Sequence, residues 1–411
     1  MRSSPGAGLT LINASLSGSA ATTLRVVDAR IAALGTRPPR TDRVIDLQGD
    51  RLLPGLINAH DHLQLNSLPR FEAGRKYTHV REWIAEVDHL RRSDRDFRAS
   101  VAVPRDQRLL LGGVKNLLSG VTTVAHHDPL YPFLSGARFP TRVVTNFGWS
   151  HSLYIDGEAK VRSSYQRTPR EYPWIIHAAE GLDADAGREF ERLDALGCVG
   201  ANTLIVHGLS LDRGQRLRLE RAGAGLIWCP SSNLRLFGRS AVVGRLVTAG
   251  RVALGTDSRL SGARDLLEEL RTAAEVSGLD APALESLVTA VAAQLLRLPD
   301  RGVLQVGARA DLVILPAGMP LLQATRADIR LVMLDGRVRL ADEDYAAVAS
   351  QWVRVRIDGR PKLLESATAA MLRDAKLREA GLEFPSAFPE SGMSAADTRR
   401  ETAHDDPRAA P

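Results

Sequence analysis

The sequence has little cysteine, little lysine and no long apolar run. Two cysteines occur among 411 residues, Cys198 and Cys229, too few for a disulfide framework and suited to a reducing compartment. No apolar stretch approaches the ~18 residues of a membrane span. The N-terminus has one arginine and no continuous apolar segment, unlike a secretory signal. We therefore expect a cytoplasmic protein.

Acidic and basic residues are nearly balanced, which limits the expected partners. The chain has 54 basic and 48 acidic residues and a net charge of +6. Five of the basic residues are lysine, and the arginines are spread along the chain. No basic run with interleaved aromatic residues indicates nucleic-acid binding. The expected partner is a small-molecule substrate, and we expect binding to neither nucleic acid nor a membrane. A homodimer is compatible with the sequence.

Apolar patterning divides the chain into segments. Residues 1–52 contain short β-like runs separated by turns, which predict a small antiparallel sheet. Across 53–302, short apolar runs alternate with segments of helical period, as in a (β/α)₈ TIM-like barrel. Residues 303–345 again contain short β-like runs, which predict strands. We expect them to join the N-terminal segment in a small β-sandwich domain built from both chain ends.

Three further segments carry separate expectations. Seven barrel strands are recognisable, and residues 151–173 occupy the place of the eighth, so we expect a degenerate strand or an irregular substitute there. Residues 346–384 are expected to form a helical extension. Residues 385–411 are polar and lack periodicity, which predicts disorder.

Histidines concentrate at the ends of the predicted strands. Seven of the ten histidines lie at or just after such an end: His60, His62, His126, His127, His151, His177 and His207. Barrel enzymes carry their reactive groups at the C-terminal ends of the strands. The distribution therefore predicts an active site at that face.

The pair His60 and His62 indicates a metal site. Residues two apart on a strand project from the same face, so both rings can reach one ion while Asp61 points into the barrel wall or a hydrogen bond. Two buried histidines without an ion would need several hydrogen-bond partners. His177 and Asp257 would supply the remaining nitrogen and oxygen ligands. Such an ion lowers the pKa of water towards ~7, and Asp257 could accept the proton.

His207 and Glu180 are candidates for proton transfer. His207 would polarise a carbonyl or imine group of the substrate, and a purely structural histidine is the alternative. Glu180 lies three residues after His177, so on a regular strand it would face away. If the chain turns after "HAA", Glu180 can carry a proton from water to a leaving amine or ring nitrogen. The alternative is an exposed acidic residue at a helix start.

Several motifs together resemble a known family. "PGLINAHDHL", "HAAE", "VHG", "CPSSNLRLFG" and "LGTDS" occur in this order and resemble the amidohydrolase superfamily. More narrowly, they are similar to its cytosine deaminase, guanine deaminase and triazine chlorohydrolase branch. The flanking motifs "VVDARIAALG" and "GVLQVGARADLVILP" resemble the small β-domain of that branch. The resemblance runs from about residue 9 to about residue 340.

The resemblance implies a hydrolase with one Zn²⁺ or Fe²⁺ ion, which activates water to attack an sp² carbon. It implies hydrolysis of a carbon–nitrogen bond other than a peptide bond, most simply deamination of a nitrogen heterocycle. The metal ligands would be His60, His62, His177 and Asp257. The catalytic residues would be Glu180, His207 and Asp257.

Four further residues are candidates for substrate binding. Ser232 and Asn233 lie in a segment near the substrate in that branch, although a turn leading into a helix explains them equally well. His127 and His151 follow strand ends, and a core or hydrogen-bonding role is the alternative for the doublet that His127 forms with His126.

Other functions stay open. Cyclic amide hydrolysis or dehalogenation would use the same water activation. A catalytically silent, amidohydrolase-like assembly protein is the alternative of another class, but such a protein is expected to lose ligands, and all six core positions are present. Two-metal relatives use a carboxylated lysine, whereas Lys160 lies in a polar segment, which favours one ion.

Overall fold

The computed structural model describes residues 7–16, 22–71, 74–348 and 351–385 of the chain. Its first four strands are β1 Leu9–Ala14, β2 Thr22–Val27, β3 Arg30–Leu34 and β4 Arg43–Asp46. They form one sheet in the order β3-β2-β1-β4. Strands β1 to β3 pair antiparallel, as predicted, but β4 runs parallel to β1.

Eight short strands, most of them fully buried, form two parallel sheets in the middle of the chain. After β5 (Arg51–Pro54) they are β6 Leu56–Asp61, β7 Val121–His126, β8 Arg142–Val143, β9 Gly148–Ser152, β10 Trp174–Ala178, β11 Thr203–His207, β12 Gly225–Trp228 and β13 Val252–Leu254. One sheet has the order β6-β7-β8 and the other β13-β12-β11-β10-β9. An isolated parallel bridge between Asp61 and Asp257 connects the two sheets.

Helices follow most of these strands, which gives the predicted α/β class. They are α1 Val80–Ser93, α2 Arg95–Ala102, α3 Arg105–Leu118, α4 Leu153–Asp156, α5 Glu158–Arg167, α6 Ala184–Ala195, α7 Arg213–Arg221, α8 Pro230–Phe237, α9 Gly244–Thr248, α10 Leu266–Ser277, α11 Ala281–Ser286 and α12 Ala290–Leu295, with α13 Ser366–Asp374 near the C-terminus. The side chains of Asp183, Asp212 and Asp265 accept backbone N–H groups at the starts of α6, α7 and α10. These caps satisfy amides that a helix start leaves unpaired.

The eighth strand does not lie where the sequence predicted it. The apolar run 142–149, interpreted as one strand, contains β8 and the start of β9, and residues 153–167 form α4 and α5. The Ser152 side chain caps α4 directly after β9, and Gly157, with a φ of 74°, separates the two helices. Of the two alternatives for 151–173, the irregular substitute is therefore correct: two helices follow the end of β9, because local capping starts a helix there.

Strands from the C-terminal part join β5 in a seven-stranded antiparallel sheet. They are β14 Leu312–Leu315, β15 Leu331–Leu334, β16 Arg337–Ala341, β17 Trp352–Ile357, β18 Arg360–Glu365 and β19 Leu382–Glu383. The order is β19-β17-β18-β16-β15-β14-β5, so the N-terminal β5 pairs with the C-terminal β14. One hydrophobic cluster includes Leu24 of the first sheet with Leu52 and Met333 of this one.

The C-terminal segment 346–384 contains more strand than helix, which corrects the expected helical extension. Its described residues include β17, β18 and β19 and one α-helix, α13. Cross-strand pairing with the sheet decides its structure, which local sequence cannot show. The disorder expected for 385–411 falls, after residue 385, outside the described residues. No helix in the described part of the chain is long and apolar enough to cross a membrane.

Candidate active site

Four of the predicted site residues converge where the two parallel sheets meet. His60 lies on β6, His62 just after it, His177 on β10 and Asp257 after β13. The Nε2 atom of His177 is 3.2 Å from Nε2 of His60 and 3.3 Å from Nε2 of His62. Oδ1 of Asp257 is 3.6 Å and 3.7 Å from the same two nitrogen atoms. These four residues are termed the ligand quartet.

The geometry of the quartet fits a divalent cation. A tetrahedral ion with bonds of ~2.0–2.1 Å has ligand atoms about 3.3–3.4 Å apart, close to the separations of 3.2 Å and 3.3 Å between Nε2 of His177 and the other two imidazole nitrogens. Nδ1 of His177 donates to the backbone oxygen of His151 at 2.8 Å, and Nδ1 of His62 to Oδ2 of Asp128 at 2.7 Å. These hydrogen bonds direct the Nε2 atom of each ring towards the other ligands.

The imidazole pKa values reflect burial and one carboxylate. Burial lowers the pKa of His60 to about 4 and the pKa of His177 well below its usual value, because a charged ring is unfavourable away from water. The neutral ring is the form that binds metal. Burial also lowers the pKa of His62, but the charge of Asp128 and its hydrogen bond outweigh this effect and raise the pKa to about 9.

Two hydroxyl groups hold the carboxylate of Asp257. Ser232 Oγ and Ser261 Oγ donate to its Oδ2 at 2.8 Å and 2.5 Å, which leaves Oδ1 facing the histidines. Burial raises the pKa of Asp257, but the hydrogen bond with His60 and the charge of His207 hold it well below its usual range. Asp257 is therefore present as the carboxylate that a metal ligand requires.

His207 and Glu180 face each other beside the quartet. Nδ1 of His207, at the end of β11, donates to Oδ1 of Asn233 at 2.9 Å. Its Nε2 atom is 3.4 Å from Oε1 of Glu180. The atoms of His207, His60, His177 and Asp257 that could bind a metal ion all lie within 4.8 Å of one another. The pair can therefore exchange a proton with a molecule bound at the quartet.

A left-handed turn brings Glu180 into the site. Ala179, directly after β10, has a φ of 56°, and its N–H donates to Oε2 of the buried Glu189 at 2.7 Å. This is the turn that the sequence interpretation required. Burial, followed by the charges of Asp257 and Glu189, raises the pKa of Glu180 well above its usual value, which favours the protonated carboxyl group.

Known proteins share both sequence and fold with this chain. Residues 169–339 match the model of the amidohydrolase family. The chain is 27% identical to a 5-methylthioadenosine/S-adenosylhomocysteine deaminase of Halobacterium salinarum, over 78% of this chain and 89% of that protein. The chain is thus similar to the amidohydrolase superfamily, as its motifs predicted. These similarities confirm the prediction of a metal-dependent hydrolase that acts on carbon–nitrogen bonds other than peptide bonds.

Two solved structures have the same fold as this chain. A triazine hydrolase variant superposes with a TM-score of 0.70 at 18% identity, covering 84% of this chain and 97% of that one. An adenosine deaminase from Xanthomonas campestris with bound zinc gives a TM-score of 0.68 at 19% identity, with the same coverage. At these identities the similarity establishes the fold alone.

His127 and His151 lie at the edge of the quartet. Their ring centroids are 4.5 Å and 4.8 Å from that of His177. Nε2 of His127 donates to the backbone oxygen of Ser150 at 3.1 Å, and its Nδ1 has no hydrogen-bond partner among the described residues. His126, the other half of the doublet, accepts the Leu63 N–H at 3.3 Å instead.

Ser232 and Asn233 contact catalytic candidates directly. Both side chains are fully buried on α8, Ser232 against Asp257 and Asn233 against His207. Because α8 begins at Pro230, the alternative interpretation of a turn leading into a helix also describes this segment.

Sequence reasoning missed three residues that orient the site: Asp128, Ser261 and Glu189. Asp128 directly follows the histidine doublet, and a carboxylate near a metal-binding histidine is a recognisable signal. Ser261 and Glu189 carry no such signal. Serines and helical glutamates are common, and their contacts with Asp257 and Ala179 exist only after folding.

Proposed function

We propose that this amidohydrolase releases ammonia from C6 of a 5′-modified adenosine, of the 5-methylthioadenosine or S-adenosylhomocysteine class. The observation that carries the proposal is the buried carboxyl group of Glu180, 3.4 Å from the His207 ring and beside the quartet. An amine leaves carbon readily only when it is protonated, and such a pair can supply the proton. The similarity to a deaminase of this substrate class supports the choice of an adenosine as the substrate.

We further propose that His60, His62, His177 and Asp257 hold one divalent ion, Zn²⁺ in first place and Fe²⁺ in second. Three imidazole nitrogens and one carboxylate oxygen are a ligand set that suits Zn²⁺. The ion supplies Lewis-acid chemistry that makes water nucleophilic near neutral pH.

The reaction exchanges the C6 amino group for oxygen. Water adds to C6, the C6–N bond breaks, one water proton ends on ring nitrogen N1 and the other on the departing ammonia. Asp257, held as a carboxylate by Ser232 and Ser261, would accept one proton of the water and pass it to the departing ammonia. Glu180 would donate its proton to N1 and recover a proton from the other O–H bond of the water.

The expected role of His207 as a proton donor depends on its contact with Glu180. Its hydrogen bond to Asn233 makes Nε2 of the neutral ring an acceptor. Donation to the substrate therefore requires a proton that the adjacent Glu180 carboxyl group can supply. His127 and His151, next to the quartet, are proposed to contact the substrate, whereas Ser232 and Asn233 hold Asp257 and His207.

The architecture supports the same proposal. We propose that the two parallel sheets form one (β/α)₈ barrel, joined by the Asp61–Asp257 bridge. The hydrophobic cluster shared by the first sheet and the seven-stranded sheet supports the predicted β-sandwich. Both cysteines are free and buried, which supports a cytoplasmic location.

An ammonia-release assay tests the proposal. Metal-loaded protein is offered 5′-methylthioadenosine, S-adenosylhomocysteine, adenosine, guanine, cytosine, an amino-triazine and a chloro-triazine. We expect the highest kcat/KM for the 5′-modified adenosines. Chloride release or cyclic amide opening, without ammonia from any adenosine, would show the proposal to be wrong. Elemental analysis tests the alternative of a catalytically silent assembly protein. That alternative requires that the purified protein contain no stoichiometric metal and that it turn over no substrate.

A further inference from the structure

A group of buried polar side chains lies next to the ligand quartet, and the proposed reaction uses none of them. It is termed the Asp61 cluster, and its members are Asn58, Asp61, Asn66, Lys115, Asn116 and Thr256. The largest relative exposure among them is 3%, and both charged members are at 0%. Charges in a protein interior are strongly unfavourable unless they are paired and hydrogen-bonded, so this arrangement requires an explanation.

The side chains of Lys115 and Asp61 form their hydrogen bonds inside the cluster. Nζ of Lys115, on α3, donates to Oδ2 of Asp61 at 3.2 Å, to Oδ1 of Asn66 at 2.8 Å and to Oγ1 of Thr256 at 3.0 Å. All three ammonium protons are thus used. The carboxylate of Asp61 also accepts the side-chain amides of Asn66 and Asn116, both at 2.8 Å. The ion pair is therefore held in one geometry.

The cluster joins the backbone segments that carry three of the four quartet residues. Asp61 lies between His60 and His62, and Thr256 directly precedes Asp257. The Thr256 N–H donates to the backbone oxygen of His60 at 2.9 Å, and the His62 N–H to that of Asp257 at 2.6 Å. Backbone pairing between β6 and the segment after β13 consists of an isolated bridge among the described residues. Side-chain bonds from Lys115 therefore reinforce this junction.

Stability alone does not account for the ion pair. Well-packed apolar side chains of similar volume are often as stabilising as a buried ion pair, or more so. A fully satisfied polar network instead selects one arrangement of the groups that it joins. Here those groups are the two strand ends that present His60, His62 and Asp257 to each other at 3.6 Å and 3.7 Å.

We infer that Lys115 and Asp61 are positioning residues that set the spacing of His60, His62 and Asp257 and thereby the affinity of the quartet for its metal ion. The inference rests on the metal site of the proposed function but not on its substrate. Loss of the Lys115 ammonium group is expected to raise the metal dissociation constant about 10- to 100-fold, the usual size when a partner of a metal ligand is removed.

The experiment compares two buried lysines. Lys115→Met removes the charge next to the quartet. Lys362→Met is the matched control, because Lys362 is 2% exposed on β18 and donates to the backbone oxygen of Ile329 at 2.7 Å, outside the quartet. Metal-free protein of each variant is titrated with Zn²⁺ against a chromophoric chelator, the visible spectrum of the Co²⁺ form is recorded, and Tm is measured without metal.

The expected result separates the two lysines. Lys115→Met should weaken Zn²⁺ binding and alter the Co²⁺ spectrum, whereas Lys362→Met should lower Tm without changing either metal readout. If Lys115→Met fails to fold, Thr256→Val keeps the shape but removes one acceptor of Lys115, and a weaker Zn²⁺ affinity is again expected. Unchanged affinity and spectrum in the folded variant would overturn the inference. Wild-type protein that binds one equivalent of Zn²⁺ but deaminates no adenosine would refute the proposed substrate while leaving this comparison valid.

Discussion

At the scale of the residue, unusual backbone conformations coincide with the chemistry. Ala179, His207 and Asp257 have φ values of 56°, 72° and 59°, each at the C-terminal end of a parallel strand. A residue other than glycine in this region costs about 1–3 kcal/mol. The hydrogen bonds of Glu189, Asn233 and the two serines on Asp257 offset that cost, and the turns direct side chains into the site that a straight strand would point elsewhere.

Glu180→Gln should keep the metal and lose most of the turnover. The amide has nearly the shape of the carboxyl group but cannot deliver its proton, and general acid–base groups typically contribute about 10²- to 10⁴-fold to the rate. The measurement is kcat for ammonia release together with metal content. Glu191→Gln is the control, because Glu191 is a half-exposed glutamate on α6 that pairs with Arg218. Full activity of Glu180→Gln would remove Glu180 from the mechanism.

At the scale of the element, α6 supports the end of the preceding strand. Glu189, on the inner face of α6, accepts the N–H of Ala179 and so holds the turn after β10. Burial raises the pKa of Glu189 to about 7 despite that hydrogen bond. A helix and a strand are thus joined by a carboxyl group that titrates near neutral pH.

This contact predicts a pH-dependent stability difference between wild type and Glu189→Gln. The folded pKa of about 7 exceeds the value of ~4.3 in an unfolded chain. The contribution of Glu189 to stability is therefore fully present below pH ~4.3 and is lost as the pH rises through about 7. Glutamine keeps the acceptor for Ala179 but does not titrate, so the Tm of the variant should rise relative to wild type between pH 5 and pH 7.5. A Tm difference that is independent of pH would contradict this assignment.

At the scale of the whole molecule, the quartet draws its members from both parallel sheets. His60 lies on β6 of the three-stranded sheet and His62 directly follows that strand, whereas His177 lies in the five-stranded sheet. Asp257 follows the edge strand β13 and bridges to Asp61. An ion held by all four residues therefore joins two parts of the fold that share little backbone pairing.

Removal of the metal should consequently destabilise the protein. A ligand that binds the folded state at about 1,000 times its Kd stabilises that state by about 4 kcal/mol. A chelator should lower Tm by several degrees, and Zn²⁺ should restore it, as measured by scanning calorimetry. His60→Ala provides the comparison, because its Tm should respond to the chelator much less. An equal response of both proteins would place the metal-dependent stability outside the quartet.

The sequence by itself determined the parts of this protein that depend on local periodicity. The period of two along β6 places His60 and His62 on one face, and alternating strands and helices indicate the α/β class. Paired apolar runs at both chain ends indicated a β part to which both ends contribute, and β5 does pair with β14.

Tertiary structure alone decided the rest, because it depends on side-chain and strand contacts that local periodicity does not show. The turn at Ala179 requires the carboxyl group of Glu189 from the following helix, and Asp257 is oriented by Ser232 of α8, 25 residues earlier. Residues 346–384 contain three strands because β18 pairs with β16 of the seven-stranded sheet. Asp61, which periodicity could only direct away from its two histidines, takes part in an ion pair with Lys115, 54 residues later.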